Sequence, residues 1–167
     1  DGTMMLDSQG YGLNCNREIS AVFYYPISIG NPFQSLYYSK FMENGVVPIG
    51  TNNLANVASI RWPGKLSLHL HWLGNIIGDT ESKTVANQRI DDFLIQIDTM
   101  KENGFKIIWT VHNILPHDAM LQDCQIRLRV ELVKRCDIIH TMCDDTIGLS
   151  EAFFTIPESK IVNLPHP

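Results

Sequence analysis

The segment richest in groups able to do chemistry is His112-Asn113-Ile114-Leu115-Pro116-His117-Asp118. An imidazole at a strand end can take or give a proton near neutral pH, which makes His112 and His117 candidate catalytic groups. Asn113 can hydrogen-bond a sugar hydroxyl. His117 and Asp118 read either as a base with its orienting carboxylate or with Asp118 as the cap of the next helix. For His112 the plain alternative is a core histidine satisfied by backbone. A second candidate pair is His71-Trp72. An aromatic face beside a polar group suits a sugar ring, and a tryptophan packing the edge of the core explains it equally well. Gly30 and Asn31 can present backbone N–H groups at a helix N-terminus to an anion or hydroxyl, or can form a plain helix cap. His69 and His140 sit in mid-strand and read as buried without a role. His71, His112 and His166 each close an expected strand, so three of the six histidines gather at one sheet edge.

The elements that must position these residues follow from periodicity and stop signals. Ser20 to Pro26 is an apolar, aromatic strand stopped by proline. Asn31-Pro32 opens a helix, with Asn31 as cap, Pro32 at its first position and a buried stripe of Phe33, Leu36, Tyr37 and Phe41. Asn44-Gly45 ends it, and Val46 to Gly50 is a short second strand. Leu66 to Trp72 is a third, with Leu66, Leu68 and Leu70 on one face and Ser67, His69 and His71 on the other. Thr84 to Asn103 is the longest helix, striped by Ile90, Phe93, Leu94 and Ile97. Its ending, Glu102-Asn103-Gly104, repeats Glu43-Asn44-Gly45.

Lys106 to Val111 is a fourth strand, apolar on both faces as at the centre of a parallel sheet. A helix from about Leu121 to Arg135 follows, then a strand from Asp137 to Thr141. A short helix capped by Asp144 or Asp145 runs to Phe153, and Lys160 to Leu164 is the last strand. Alternating β and α units predict an α/β domain over residues 20–167. The expected form is a doubly wound, Rossmann-like parallel sheet of about six strands in the order 3-2-1-4-5-6, with ligands outside the strands' carboxyl ends. Residues 1–19, polar and rich in glycine and asparagine, read as a poorly ordered leader or linker.

Composition removes several function classes. The 167 residues suit one domain with a real core. The net charge of −5 argues against a nucleic-acid partner, which needs a basic stripe. No apolar run approaches the roughly 20 residues of a membrane span, and the start lacks signal-peptide character. Cys15, Cys124, Cys136 and Cys143 form no C-x-x-C pair and read as buried thiols in a reducing compartment, the cytoplasm by default. No G-x-G-x-x-G fingerprint or G-x-S-x-G elbow is present. The spacing of His71, His112 and His117 matches no metal motif, so no bound metal is expected. Arg127, Arg129, Lys134 and Arg135 make one helix locally basic, read as a solvated face or a peripheral membrane contact.

Four segments together carry a family resemblance. They are Leu68-His69-Leu70-His71-Trp72; Trp109-Thr110-Val111-His112-Asn113 with Pro116-His117-Asp118; Cys136-Asp137-Ile138-Ile139-His140-Thr141; and Lys160-Ile161-Val162-Asn163-Leu164-Pro165-His166-Pro167. In order over residues 20–167, they resemble the N-terminal domain of GT-B-fold glycosyltransferases, of the family 4 (group 1-like) type found in bacterial surface-polysaccharide synthesis. The resemblance implies two Rossmann-like domains across a cleft, this one binding the acceptor. The C-terminal, donor-binding domain, expected to carry an E-x7-E element, would be absent from this chain. It implies sugar transfer, hexosyltransferase-like and retaining, from a nucleotide-diphosphate sugar to a glycan or lipid-linked hydroxyl. No metal or other cofactor is implied, and the site is the cytoplasm or the inner membrane face. His112 would touch the donor sugar or the reacting hydroxyl, His117 and Asp118 would line the acceptor side, and His166 would sit at the hinge. The domain alone would be inactive. Ile29-Gly30-Asn31-Pro32 departs from the Gly-Gly pair common in that loop, which weakens the case for donor phosphate contacts there. The competing expectation is a non-catalytic Rossmann-like module that binds carbohydrate or protein.

Overall fold

A computed structural model describes residues 19–116 and 120–167. The expected leader falls almost wholly outside these residues, and His117 and Asp118 lie outside them too. Six parallel strands form one sheet: β1 Ser20–Tyr25, β2 Val46–Gly50, β3 Leu66–Leu70, β4 Lys106–Thr110, β5 Ile138–Thr141 and β6 Ile161–Asn163. The expected Rossmann-like α/β class is the observed one.

The strand order is β2-β1-β3-β4-β5-β6, not 3-2-1-4-5-6. Sequence periodicity finds strands and right-handed crossovers, but not the side on which the third strand docks. Burial decides it. β3 has four of its five residues buried, as an inner strand must, whereas every β2 residue is only half-buried. Pro48 within β2 has no N–H to give a second neighbour, so that strand belongs at the edge. The order therefore reverses between β1 and β3, and the crevice at such a reversal is where open α/β sheets take ligands.

Helices α2 Leu54–Ala58, α3 Gly74–Ile77, α4 Lys83–Glu102 and α5 Gln122–Arg135 pack together on one face. The α4 stripe of Ile90, Phe93, Leu94 and Ile97 is buried as expected, against Leu66, Leu68, Leu70, Ile107 and Trp109 of the sheet. Burying each such aliphatic side chain contributes about 1.5–3 kcal/mol. Ser82 caps α4 by accepting from the Val85 N–H. Gly45 and Gly104, at the two matching helix-to-strand joints, take left-handed φ values of 74° and 87°.

Helix α1, Phe33–Tyr37, covers the other face and departs from its expected stripe. Pro32 is its cap residue, and Asn31 lies one step earlier, its Oδ1 accepting from the Phe33 N–H. Phe33 is buried, but Leu36 is 51% exposed, while Gln34 and Tyr38 turn inward. The helix stops at Tyr37, so a spacing that assumes continued α-geometry puts the wrong residues inside. A 3-10 turn at Met42–Asn44 completes the joint to β2. Helix α6, Asp145–Ser150, also ends earlier than expected. The Asp144 side chain makes no cap bond and instead accepts from Asn163 Nδ2.

Two further expectations need correction. Cys124 and Cys136 are buried, but Cys143 is exposed; Cys15 is outside the described residues. The basic helix α5 is a solvated face only in part, at Lys134. Arg127 pairs with Asp91, Arg135 with Asp98 and Glu131, Lys134 with Glu131, and Arg129 is buried. Among the described residues, no helix is long and apolar enough to cross a membrane.

Candidate functional site

Side chains alternate along a strand, so one sheet face collects His69 and His71 from β3 and its end, Thr110 and His112 from β4 and its end, and His140 from β5. The parallel register sets His69 beside Ile108 and Thr110 beside His140. Tyr38, just past α1, reaches down onto this face. Its hydroxyl lies 2.7 Å from His69 Nδ1 and 2.8 Å from His71 Nε2. Thr110 Oγ1 lies 2.7 Å from His69 Nε2 and 2.9 Å from His140 Nδ1. His140 Nε2 is 3.1 Å from the Leu164 carbonyl, and His71 Nδ1 is 3.1 Å from His112 Nε2. His69 and His140 are buried, as expected, but they belong to this network.

The wall of the crevice is aromatic. His112 stacks on Trp72, centroids 4.2 Å apart and 19° between planes. Phe33 makes T-shaped contacts with His112, His166, His71 and Trp72, at centroid distances of 4.6, 5.1, 5.7 and 6.2 Å. Trp72 thus gives one face to His112, which narrows its expected use as an open stacking platform. A cavity of about 140 Å³ opens between the ends of β3 and β4, with His71, Trp72, His112, Asn113, Pro116 and Arg129 among its lining residues. Small-molecule sites run from about 300 Å³ upward, so this volume suits part of a ligand.

The structure therefore brings His71, Trp72, His112 and Asn113 around one cavity and sets His166 against its aromatic wall. Gly30 and Asn31 are exposed and do not line it. Their loop is tied to itself: the Ser28 N–H donates to Gln34 Oε1, and Gln34 Nε2 donates to the Pro26 carbonyl. With the Phe33 N–H bonded to Asn31, the short α1 offers little to an anion. Among the described residues, no three His, Cys, Asp or Glu side chains are placed to hold a metal. His71 and His112 turn their facing nitrogens on each other.

Four participants were not singled out from the sequence as site residues: Phe33, Tyr38, Thr110 and Arg129. Thr110 carries a usable signal, because it precedes His112 by two on the same strand face. Tyr38 carries none, since the α1 stripe points elsewhere. Arg129 is 3% exposed and lines the cavity. Its Nη1 donates to the Gln125 carbonyl and side chain, and its Nε has no partner among the described residues. Burial pulls its pKa down to about 10.

Burial also keeps the histidines neutral. Desolvation, with the neighbouring His112 and His140, lowers His71 to about 3. Desolvation, with His140 and His166, lowers His112 to about 4, and desolvation pushes His69 and His140 down as well. In the unfolded chain these groups titrate near 6.5. Below that value the unfolded chain binds more protons than the folded one, so stability is full above about pH 6.5 and falls toward pH 4. His71 alone predicts a loss of about 2 kcal/mol between pH 7 and pH 5. Urea midpoints measured across that range should fall with acid, and His71→Asn should flatten the slope. An equally steep slope in the variant would remove His71 as its source.

No curated protein matches the chain, and no protein-family model does. Among solved structures it is similar to a PfkB family carbohydrate kinase from Listeria grayi, at 13% identity and a TM-score of 0.39, over 79% of this chain and 48% of that one. The chain spans about half the length of that kinase, and nothing about activity follows from so distant a likeness.

Proposed function

We propose that this chain is the acceptor-side domain of a GT-B-type glycosyltransferase that moves a sugar from a nucleotide diphosphate to a hydroxyl of a glycan or lipid-linked acceptor. The observation that carries the reading is the cavity bounded by His71, Trp72, His112 and Asn113 at the carboxyl ends of β3 and β4, beside the strand-order reversal. It joins aromatic surface to the uncharged hydrogen-bonding groups of His71, His112 and Asn113, the pairing a sugar ring calls for, with the Arg129 guanidinium also in the lining. The resemblance of the strand-end segments supports the same reading. In a retaining transfer the donor phosphate can take the acceptor's proton, so this half need not supply a strong base. A neutral His112 fits that division, contacting the donor sugar or the reacting hydroxyl. The transfer is placed in the cytoplasm, with a lipid-linked acceptor reached at the inner membrane face.

The test is transfer of label from a panel of nucleotide sugars by this domain joined to its donor-binding partner domain. His112→Ala should cut turnover at least tenfold with the circular dichroism spectrum unchanged, a loss of about 1.4 kcal/mol in transition-state stabilisation. Saccharide binding without turnover by the two-domain protein would instead support a non-catalytic carbohydrate-binding module.

A further inference from the structure

Six hydrogen bonds join His112, His71, Tyr38, His69, Thr110, His140 and the Leu164 carbonyl into one unbranched chain. We infer that this chain runs in one direction only, so that His112 carries its proton on Nε2 and offers a bare Nδ1 lone pair to the crevice. That nitrogen then takes a hydrogen-bond donor, a hydroxyl or an N–H, and not a phosphate or carboxylate oxygen. The inference does not depend on which reaction the domain serves.

The assignment follows from counting protons. A carbonyl oxygen only accepts, so His140 Nε2 carries a hydrogen and donates it to Leu164. A neutral imidazole has one N–H, which leaves His140 Nδ1 bare. The single Thr110 hydroxyl hydrogen must then point at His140, and its oxygen accepts from His69 Nε2. His69 Nδ1 is therefore bare and accepts from the Tyr38 hydroxyl. The Tyr38 oxygen accepts from His71 Nε2, and His71 Nδ1 accepts from His112 Nε2. Among the described residues nothing occupies the remaining nitrogen, His112 Nδ1.

Two conditions make the count binding. Each imidazole must be neutral, and burial drives all four that way. The phenol must keep its proton, and burial raises the Tyr38 pKa well above the usual tyrosine range. Reversing any one bond would set two lone pairs, or two hydrogens, against each other at a neighbouring link. In this buried setting each mismatch leaves polar groups unsatisfied. Tyr38, His69, Thr110 and His140 are thus positioning residues that act on the ligand through His112.

The test is long-range proton–nitrogen correlation on the chain with 15N-labelled histidine at pH 7.5, the rings assigned with single His→Gln variants. The expected result is a protonated Nε2 and a bare Nδ1 for His69, His71, His112 and His140. A proton on His112 Nδ1, or tautomer averaging at His112 as in free imidazole, would overturn the inference. Thr110→Val removes the one link between His140 and the other three rings. In that variant His140 should keep its tautomer while His112 shifts toward the averaged value. A His112 tautomer unchanged in folded Thr110→Val would show that the chain does not set it. If the variant does not fold, the wild-type spectrum still decides the tautomer.

Discussion

Trp109→Ala should lower the free energy of unfolding by about 3–5 kcal/mol, the usual range for truncating a fully buried aromatic side chain. Trp109 is 1% exposed, lies one residue from the carboxyl end of β4, and faces the helical layer with Phe154 at 5.9 Å. The cost falls at the upper end if the surroundings cannot collapse, and here they cannot do so easily. β4 is held on both sides by β3 and β5, and the indole already borders the cavity between the ends of β3 and β4. Truncation would join new empty volume to an existing one. Urea denaturation measures the loss, and a value below about 1 kcal/mol would mean that the site repacks.

Tyr38→Phe should cost about 2–6 kcal/mol although it removes one oxygen and leaves no large void. That oxygen is the partner of two buried imidazole nitrogens, His69 Nδ1 and His71 Nε2, and each loses its bond. A buried polar atom left without a partner costs about 1–3 kcal/mol, which doubles here because one hydroxyl serves two rings. Tyr37→Phe is the matched control. Tyr37 packs against the same rings by edge contacts, and the change should stay within about 0.5 kcal/mol, as for substitutions away from special features. Equal effects of the two variants would mean that the Tyr38 hydroxyl is not the shared partner.

Much of this fold is legible in the sequence because local rules point to it. The Ile90, Phe93, Leu94 and Ile97 spacing predicts the buried face of α4, and the Asn103-Gly104 joint predicts where that helix stops, whereas at Asn44-Gly45 only a 3-10 turn ends. What is not legible depends on the third dimension. Whether β3 docks beside β2 or beside β1 is a choice between two right-handed paths, and the only local hint is Pro48 in the edge strand. The α1 stripe fails because its helix is one turn long and Tyr38 answers to the polar sheet face, not to helical periodicity.

The site divides in the same way. His71, Trp72, His112 and Asn113 are found as strand-end residues, because alternation and sheet topology suffice to place them together. His69 and His140 look inert in sequence, since a mid-strand histidine shows no partner until register sets Thr110 between them. Arg129 reads as one of four surface cations until packing buries it. Gly30 and Asn31 carry a helix-start signature that is real, but it is consumed by the loop's own hydrogen bonds.

The six bonds of the histidine chain each span 24 to 41 residues of sequence. The strand pairings beneath the network span similar separations, so it cannot close before the crossovers between β3, β4 and β5 have folded back. The same hydroxyls and imidazoles that aim one nitrogen into the crevice therefore also act as a cross-brace, fastening the polar face of β3, β4 and β5 to the residue just past α1.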